Sequence, residues 1–165
     1  MTMHPESEDI SNTVHHYFLF QIGQDKYAVP LLGVREVSEL GEIRRVPNTV
    51  DAFVGLMNLR GTVVGVIDLA KRFGVDSQNA ASRALFLVES ADTILGAIVD
   101  RILAVVEFLP EQIDSNAQII TPISAEFIKG VARLNQDIIP ILNLAKVMDH
   151  EEFVALPRSK TPTAS

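Results

Sequence analysis

One stretch of this chain occurs twice. Residues 47–71 read PNTVDAFVGLMNLRGTVVGVIDLAK, and residues 122–146 read PISAEFIKGVARLNQDIIPILNLAK. The two align without a gap at an offset of 75 residues, placing Pro47 on Pro122, Gly55 on Gly130 and Leu59 on Leu134. The LAK at 69–71 falls on the LAK at 144–146. A weaker pair lies upstream, where YFLF from Tyr17 resembles LFLV from Leu85. The order is therefore A-B-A′-B′, which reads as two similar β units in one chain. The period is too long and the copies too few for a solenoid.

The local patterns agree. HYFLFQIGQDKYAVPLLGV predicts a strand, a tight turn at Gly23, Gln24 and Asp25, and a second strand. TVVGVIDL is rich in Val and Ile and holds one glycine, as a bent or closely approached strand does. ALFLVES, TILGAIVDRIL and DIIPILNL are similar. Many short strands separated by frequent turns predict an all-β barrel or sandwich. Helix signals are confined to LAKRF and LAKVMDHEEF, the second long enough for several turns before Pro157. Thr49 with Asp51, and Ser124 with Glu126, read as a helix N-cap followed by an acidic first turn, twice over.

The repeat also serves as an internal control. Positions that both copies share serve the fold, and positions that differ are candidates for function. Val63, Val64, Val66 and Ile67 match Ile138, Ile139, Ile141 and Leu142, and are read as strand core. At the hairpin tip the copies part, with LRGT in the first and LNQD in the second. A polar turn is required there and an arginine is not. Arg60 is thus either a local surface ion pair, of the kind that is common and worth little, or a group that meets something outside.

Catalysis finds no support. The chain has no cysteine, so it has neither a thiolate metal site nor a cysteine nucleophile. Its four histidines are His4, His15, His16 and His150. His15 and His16 are adjacent, and neighbours in a strand point to opposite faces. No serine sits in a nucleophile elbow, and no glycine-rich loop has phosphate-binding spacing. Asp68 and Asp100 each end an apolar strand, but Asp68 matches Asn143. An amide can make the same hydrogen bonds without the charge, so a structural cap is expected. We expect no cofactor and no metal.

A net charge of -7 argues against binding nucleic acid through its phosphates. With 6% aromatic residues, the chain also lacks the stacking platforms of single-strand binders. The acidic start, MTMHPESEDISNT, has no apolar core and is not read as a signal peptide. No apolar run approaches the roughly 20 residues of a membrane helix. Residues 1–13 and 154–165 are read as flexible tails flanking a single domain at 14–153.

One surface stretch is left, AVPLLGVREVSELGEIRRV at 28–46. Leu31, Val34 and Val37 keep a spacing of three among charged neighbours. They are either core or an exposed apolar strip with a charged rim, as binding surfaces have.

Several of these segments also carry a resemblance. FLFQIGQDKYAVPLLGVREV, RRVPNT, GLMNLRGTVVGVIDL, VDRILAVVE and GVARLNQDIIPILNL come in the order and spacing of the bacterial chemotaxis coupling protein CheW and its related domains. The resemblance spans roughly residues 15–150, and its most specific part is the NLRG…DL block. It implies two packed SH3-like five-stranded β-barrels with few short helices. It implies a cytoplasmic, non-enzymatic adaptor, monomeric alone and recruited to membrane receptor arrays without inserting in the membrane. The implied partners are the cytoplasmic tip of a methyl-accepting chemoreceptor and the regulatory domain of a CheA-type histidine kinase. Carried over by position, a receptor groove would be lined by Leu31, Val34, Glu36 and Val37, with Ile102 and Val105 from the second unit. Val34 and Val37 match Ile102 and Val105 at an offset of 68 residues. Arg60 would serve receptor and kinase coupling, paired with Glu36. A related adaptor in another chemosensory-type pathway, such as pilus-based surface motility, is the alternative.

Two positions depart from the family pattern. Gly65 stands where a proline is usual, retained in the second copy as Pro140, and is expected to loosen an edge strand. Val50 stands where the family loop has proline.

Overall fold

A computed structural model describes residues 15–47, 49–77, 80–90, 92–116 and 123–149. The expected tails, the domain limits at 14 and 153, and His4 and His150 lie outside the described residues. In chain order the strands are β1 (His15–Ile22), β2 (Asp25–Pro30), β3 (Glu36–Glu39), β4 (Ile43–Arg44), β5 (Phe53–Leu59) and β6 (Thr62–Asp68). They continue with β7 (Ala84–Ser90), β8 (Thr93–Val99), β9 (Arg101–Phe108), β10 (Ile113–Asp114), β11 (Ile128–Leu134) and β12 (Asp137–Leu142). Short helices at Leu69–Phe73 and Leu144–Val147 follow β6 and β12. The mostly β class with few helices is as expected.

The strands form two six-stranded sheets, ordered β10-β11-β12-β2-β1-β9 and β3-β7-β8-β6-β5-β4. Each has one strand more than the five expected, because two-residue strands, β4 and β10, add themselves to β5 and β11. The TILGAIVDRIL run, which reads as one strand, is broken at Asp100 into β8 and the start of β9. The sheets do not follow the halves of the sequence. Hairpin β1–β2, the A unit, joins β11–β12, the B′ unit, through a parallel β2–β12 pairing. Hairpin β5–β6, the B unit, joins β7–β8, the A′ unit, through a parallel β6–β8 pairing. Each copy of A therefore completes the other copy's B.

The exchange extends to β3 and β9. Val37 of β3 pairs with Phe86 of β7, and Val105 of β9 pairs with Phe18 of β1. These pairs are related by the offset of 68, so a local pseudo-two-fold relates the sheets. The rings of Phe18 and Phe86 meet across it at 5.2 Å.

Burial explains why the strands read as continuous apolar runs. Tyr17 and Leu19 of β1 point into a core under the first sheet, with Phe108 and Ile139. Phe20 and Ile22 point the other way, into a larger core between the sheets that also holds Phe86, Val88 and Ala97. Leu85 and Leu87 fill a third core under the second sheet with Met57 and Val64. A strand buried on both faces has no polar alternation to show. The largest core lies between the sheets and draws on both, so neither sheet is a unit by itself.

Several details differ from the sequence reading. Val63 and Ile138 are surface positions, 63% and 52% exposed, while Val64, Val66, Ile67 and their partners are buried. Consecutive strand residues face opposite ways, and here the first of each run faces water. Gly65 lies in β6, which is paired on both sides, so it is not on an edge. A Cβ there would meet Leu95 and the Phe53 ring at 3.2 Å. These side chains use the space that a larger residue would take. Val50 packs against the central core. The second helix stops at Val147, with Met148 as its C-cap, well short of several turns.

The expected caps are not made. Ser124 precedes a 3₁₀ turn at Ala125–Phe127 without capping it by its side chain, and the Thr49 hydroxyl donates to the Val46 carbonyl instead. Helix capping falls to Asp68 and Asn143, as the match between them implies. Asp68 Oδ1 accepts from the Ala70 and Lys71 amides, and Asn143 Oδ1 from the Lys146 amide. The backbone amides of Asp68 and Asn143 donate to Ala52 and Phe127, the same bond at repeat-related positions. Asp100, at the crossover from β8 to β9, is buried. Its carboxylate accepts from the Gly23 amide at 2.9 Å and the Ser77 hydroxyl at 2.8 Å. That ties the β1–β2 turn and the segment after the first helix to the crossover.

Candidate functional site

At the hairpin tip between β5 and β6 the two repeat copies part, LRGT against LNQD, and its geometry separates fold from function. Arg60 has φ 51° and Gly61 φ 88°, both in the left-handed half, as a two-residue hairpin turn requires. The Asn58 side chain accepts from the Gly61 amide at 2.8 Å and holds the turn. The equivalent of Arg60 in the other hairpin is Asn135, at φ 59°. Asparagine tolerates that conformation and arginine does not, at a cost of roughly 1 kcal/mol. Arginine is thus the poorer local choice at position 60, and its side chain must be accounted for elsewhere.

That side chain reaches across the sheet. Arg60 Nη2 donates to Glu36 Oε1 at 2.8 Å, pairing the tip with the exposed edge strand β3. Beneath the pair lies a depression lined by Leu59, Val64, Leu87 and Ile94, the open end of the second sheet's core. A neighbouring pair, Arg35 to Glu89 at 3.1 Å, flanks it. We expect Arg60→Asn to leave stability unchanged or up to about 1 kcal/mol higher, since an exposed pair contributes about 0–1 kcal/mol and the turn strain is relieved. Urea denaturation of the two proteins measures this. A loss above that range would show that the ion pair holds the hairpin.

The six positions named for a groove fall into two groups. Val37 lies opposite Phe86 and Val105 opposite Phe18, so both point to the side where those rings meet. Val37 is 41% and Val105 52% exposed. Val34 and Ile102 pack against the central core just inboard, and Leu31 in the 3₁₀ turn Leu31–Gly33 is half-buried. These five make one apolar group, four of them on the central core's side and Leu31 in the turn before β3. Glu36 is not in it. Its opposite residue is Leu87, which faces the second sheet's own core, so Glu36 is on the other side of β3 with Arg60. The structure adds one residue that sequence reasoning passed over. Leu32 is 100% exposed at the turn between β2 and β3. Two leucines in one tight turn cannot both face inward, and that was the available signal.

Among the described residues no group of His, Cys, Asp and Glu is arranged to hold a metal. His16 instead pairs with Glu107 at 3.0 Å on the surface. No described helix is long and apolar enough to cross a membrane. Asp68 is committed to Arg83 at 2.7 Å besides its cap, and Asp100 to its crossover bonds, so the two do not act as an acid–base pair.

Fold and site together define a two-sheet β scaffold whose distinctive residues lie on exposed edges and a hairpin tip. A family model described as the CheW-like domain matches residues 16–152. The chain belongs to the CheW-like domain family. It is 31% identical over 142 residues to a chemotaxis protein CheW of Treponema pallidum (strain Nichols), covering 83% of this chain and 84% of that one. It is 27% identical over 150 residues to Protein FrzA of Myxococcus xanthus, covering 86% and 90%. The crystal structure of scaffolding protein TtCheW from Thermoanaerobacter tengcongensis superposes with a TM-score of 0.75 at 27% identity, covering 82% of this chain and 88% of that one.

Proposed function

We propose that this chain is a non-catalytic chemotaxis adaptor, acting in the cytoplasm and monomeric alone. It couples the cytoplasmic tip of a chemoreceptor to the regulatory domain of a CheA-type histidine kinase and helps build their arrays. The observation that carries this reading is the family match over 16–152, shared with relatives named chemotaxis protein CheW over four-fifths of both chains. The surface supports it. The apolar group of Leu31, Val34, Val37, Ile102 and Val105 suits one face of a receptor helix laid along the two sheet edges. On the other side of β3, the Arg60–Glu36 pair offers a charge with a defined direction to the kinase, where charge complementarity sets partner and register. In that arrangement β3 separates the two contacts by the thickness of one strand. A shift at the receptor side is then transmitted to the kinase side through a single backbone.

Calorimetry against the regulatory domain of a CheA from the same genome tests the reading. Saturable binding by the wild type is expected, with Arg60→Glu at least about tenfold weaker, because it reverses the charge offered to the kinase. Arg60 is exposed, so the variant keeps its fold. Val37→Asp is expected to weaken binding to a receptor tip while sparing the kinase. No binding by the wild type to any such kinase would overturn the proposal. The likeness to Protein FrzA favours a second reading, an adaptor in another chemosensory-type pathway such as pilus-based surface motility. Deletion decides between them by whether swimming or surface motility is lost.

A further inference from the structure

The second sheet carries a cavity that shares no residue with the Arg60–Glu36 depression. Arg45, Lys71 and Arg83 line it, with Asp68 at its base and apolar walls that include Ile43 and Val54. Arg83 and Asp68 are paired at 2.7 Å and largely buried, so they neutralise each other. Arg45 and Lys71 are exposed, and among the described residues neither side chain has an ion pair or hydrogen bond. The cavity thus holds two uncompensated cations on a chain whose net charge is -7.

The fold does not require this set of charges. In the other sheet the counterpart of Asp68 is Asn143, which caps its helix without a charge. The counterpart of Arg83, at the offset of 68, is His15. Lys71 matches another lysine, Lys146. A feature that one copy carries and the other folds without is there for something besides folding.

From this we infer that the cavity is a docking site for an acidic peptide segment of a partner protein, taking a carboxylate side chain between Arg45 and Lys71. A peptide fits better than a free anion, because only a ligand with apolar neighbours beside its carboxylate gains from the apolar walls. Charged centres with apolar surroundings are how protein interfaces combine specificity with burial.

The test is titration of the ¹⁵N-labelled full chain with acetyl-Leu-Glu-Asp-Leu-amide, beside its amide analogue acetyl-Leu-Gln-Asn-Leu-amide. The acidic peptide is expected to move the resonances of Arg45, Lys71 and Arg83, and Arg45→Glu or Lys71→Glu should weaken it about tenfold or more, as loss of a charge-assisted contact does. Lys146→Glu, the same change on the other sheet, should leave it unchanged. No movement at these positions with millimolar peptide would overturn the proposal. So would equal binding of the amide analogue, or an equal loss in Lys146→Glu, either of which means diffuse attraction. None of these residues belongs to the Arg60–Glu36 contact, so failure here is separable from failure of the adaptor reading.

Discussion

Gly55→Ala is expected to destabilise this protein by about 3 kcal/mol or more, within the range of backbone-strain mutations. Gly130→Ala, the same change in the other repeat copy, should cost no more than about 1 kcal/mol. The two glycines are aligned, and each sits at a register irregularity of its hairpin, β5–β6 or β11–β12, beside a paired two-residue strand. They differ in how close that short strand comes. A Cβ on Gly55 would stand 2.2 Å from the Arg44 carbonyl oxygen and 2.8 Å from its carbon, and the residue holds φ at +154°. These are backbone atoms of β4, so no side-chain rotation relieves the clash. On Gly130 the nearest atom, the Asp114 carbonyl oxygen, would be 3.4 Å away, and φ is not positive. Thermal unfolding of the pair checks the contrast. For a chain of this size, 3 kcal/mol corresponds to a fall in Tm of roughly 10 °C. Equal, small effects would mean that β4 moves aside readily.

The second large effect is expected at the pseudo-two-fold. Phe86→Ala should cost about 3–5 kcal/mol, as for a fully enclosed aromatic. Phe86 is fully buried, with Phe18 at 5.2 Å and Phe20 edge-on at 5.3 Å. Its repeat counterpart Phe18 is half-buried, and Phe18→Ala should cost about half as much, since less apolar surface is removed from contact. Chemical denaturation measures both. Val37 and Val105 lie across from these rings, so on the proposed adaptor role each truncation should also weaken binding to a receptor tip in the fraction that remains folded. Equal costs for the two changes would mean that the contact relaxes evenly around its axis, against the burial described here.

The hairpins were legible from sequence because a strand's pattern and its turn are local. FLFQIGQDKYAV announces two strands and the turn between them whatever lies around it, and the LAK repeats announced two helices, with Asp68 read as a structural cap. The Arg60–Glu36 pair was reached only through family resemblance, since its partners are 24 residues apart and nothing local joins them. The groove positions were reached the same way. Sequence position placed Glu36 beside Val37, while strand alternation places them on opposite sides. The assignment of Val63 and Ile138 to the core failed for a related reason. A run of apolar residues does not say which of its members is the one that faces out.

By itself, the sequence determined the mostly β class and the repeat that relates the hairpins. Both follow from spacing along the chain. Only the tertiary structure decided which hairpin pairs with which. The A and A′ hairpins share one apolar pattern, so either could complete B as far as local periodicity tells. The choice is made by non-local contacts: the parallel pairings of β2 with β12 and β6 with β8, the crossover pinned by Asp100, and the Phe18–Phe86 contact. That exchange carries β3 and β9 to the two sheet edges, and with them the exposed Val37 and Val105.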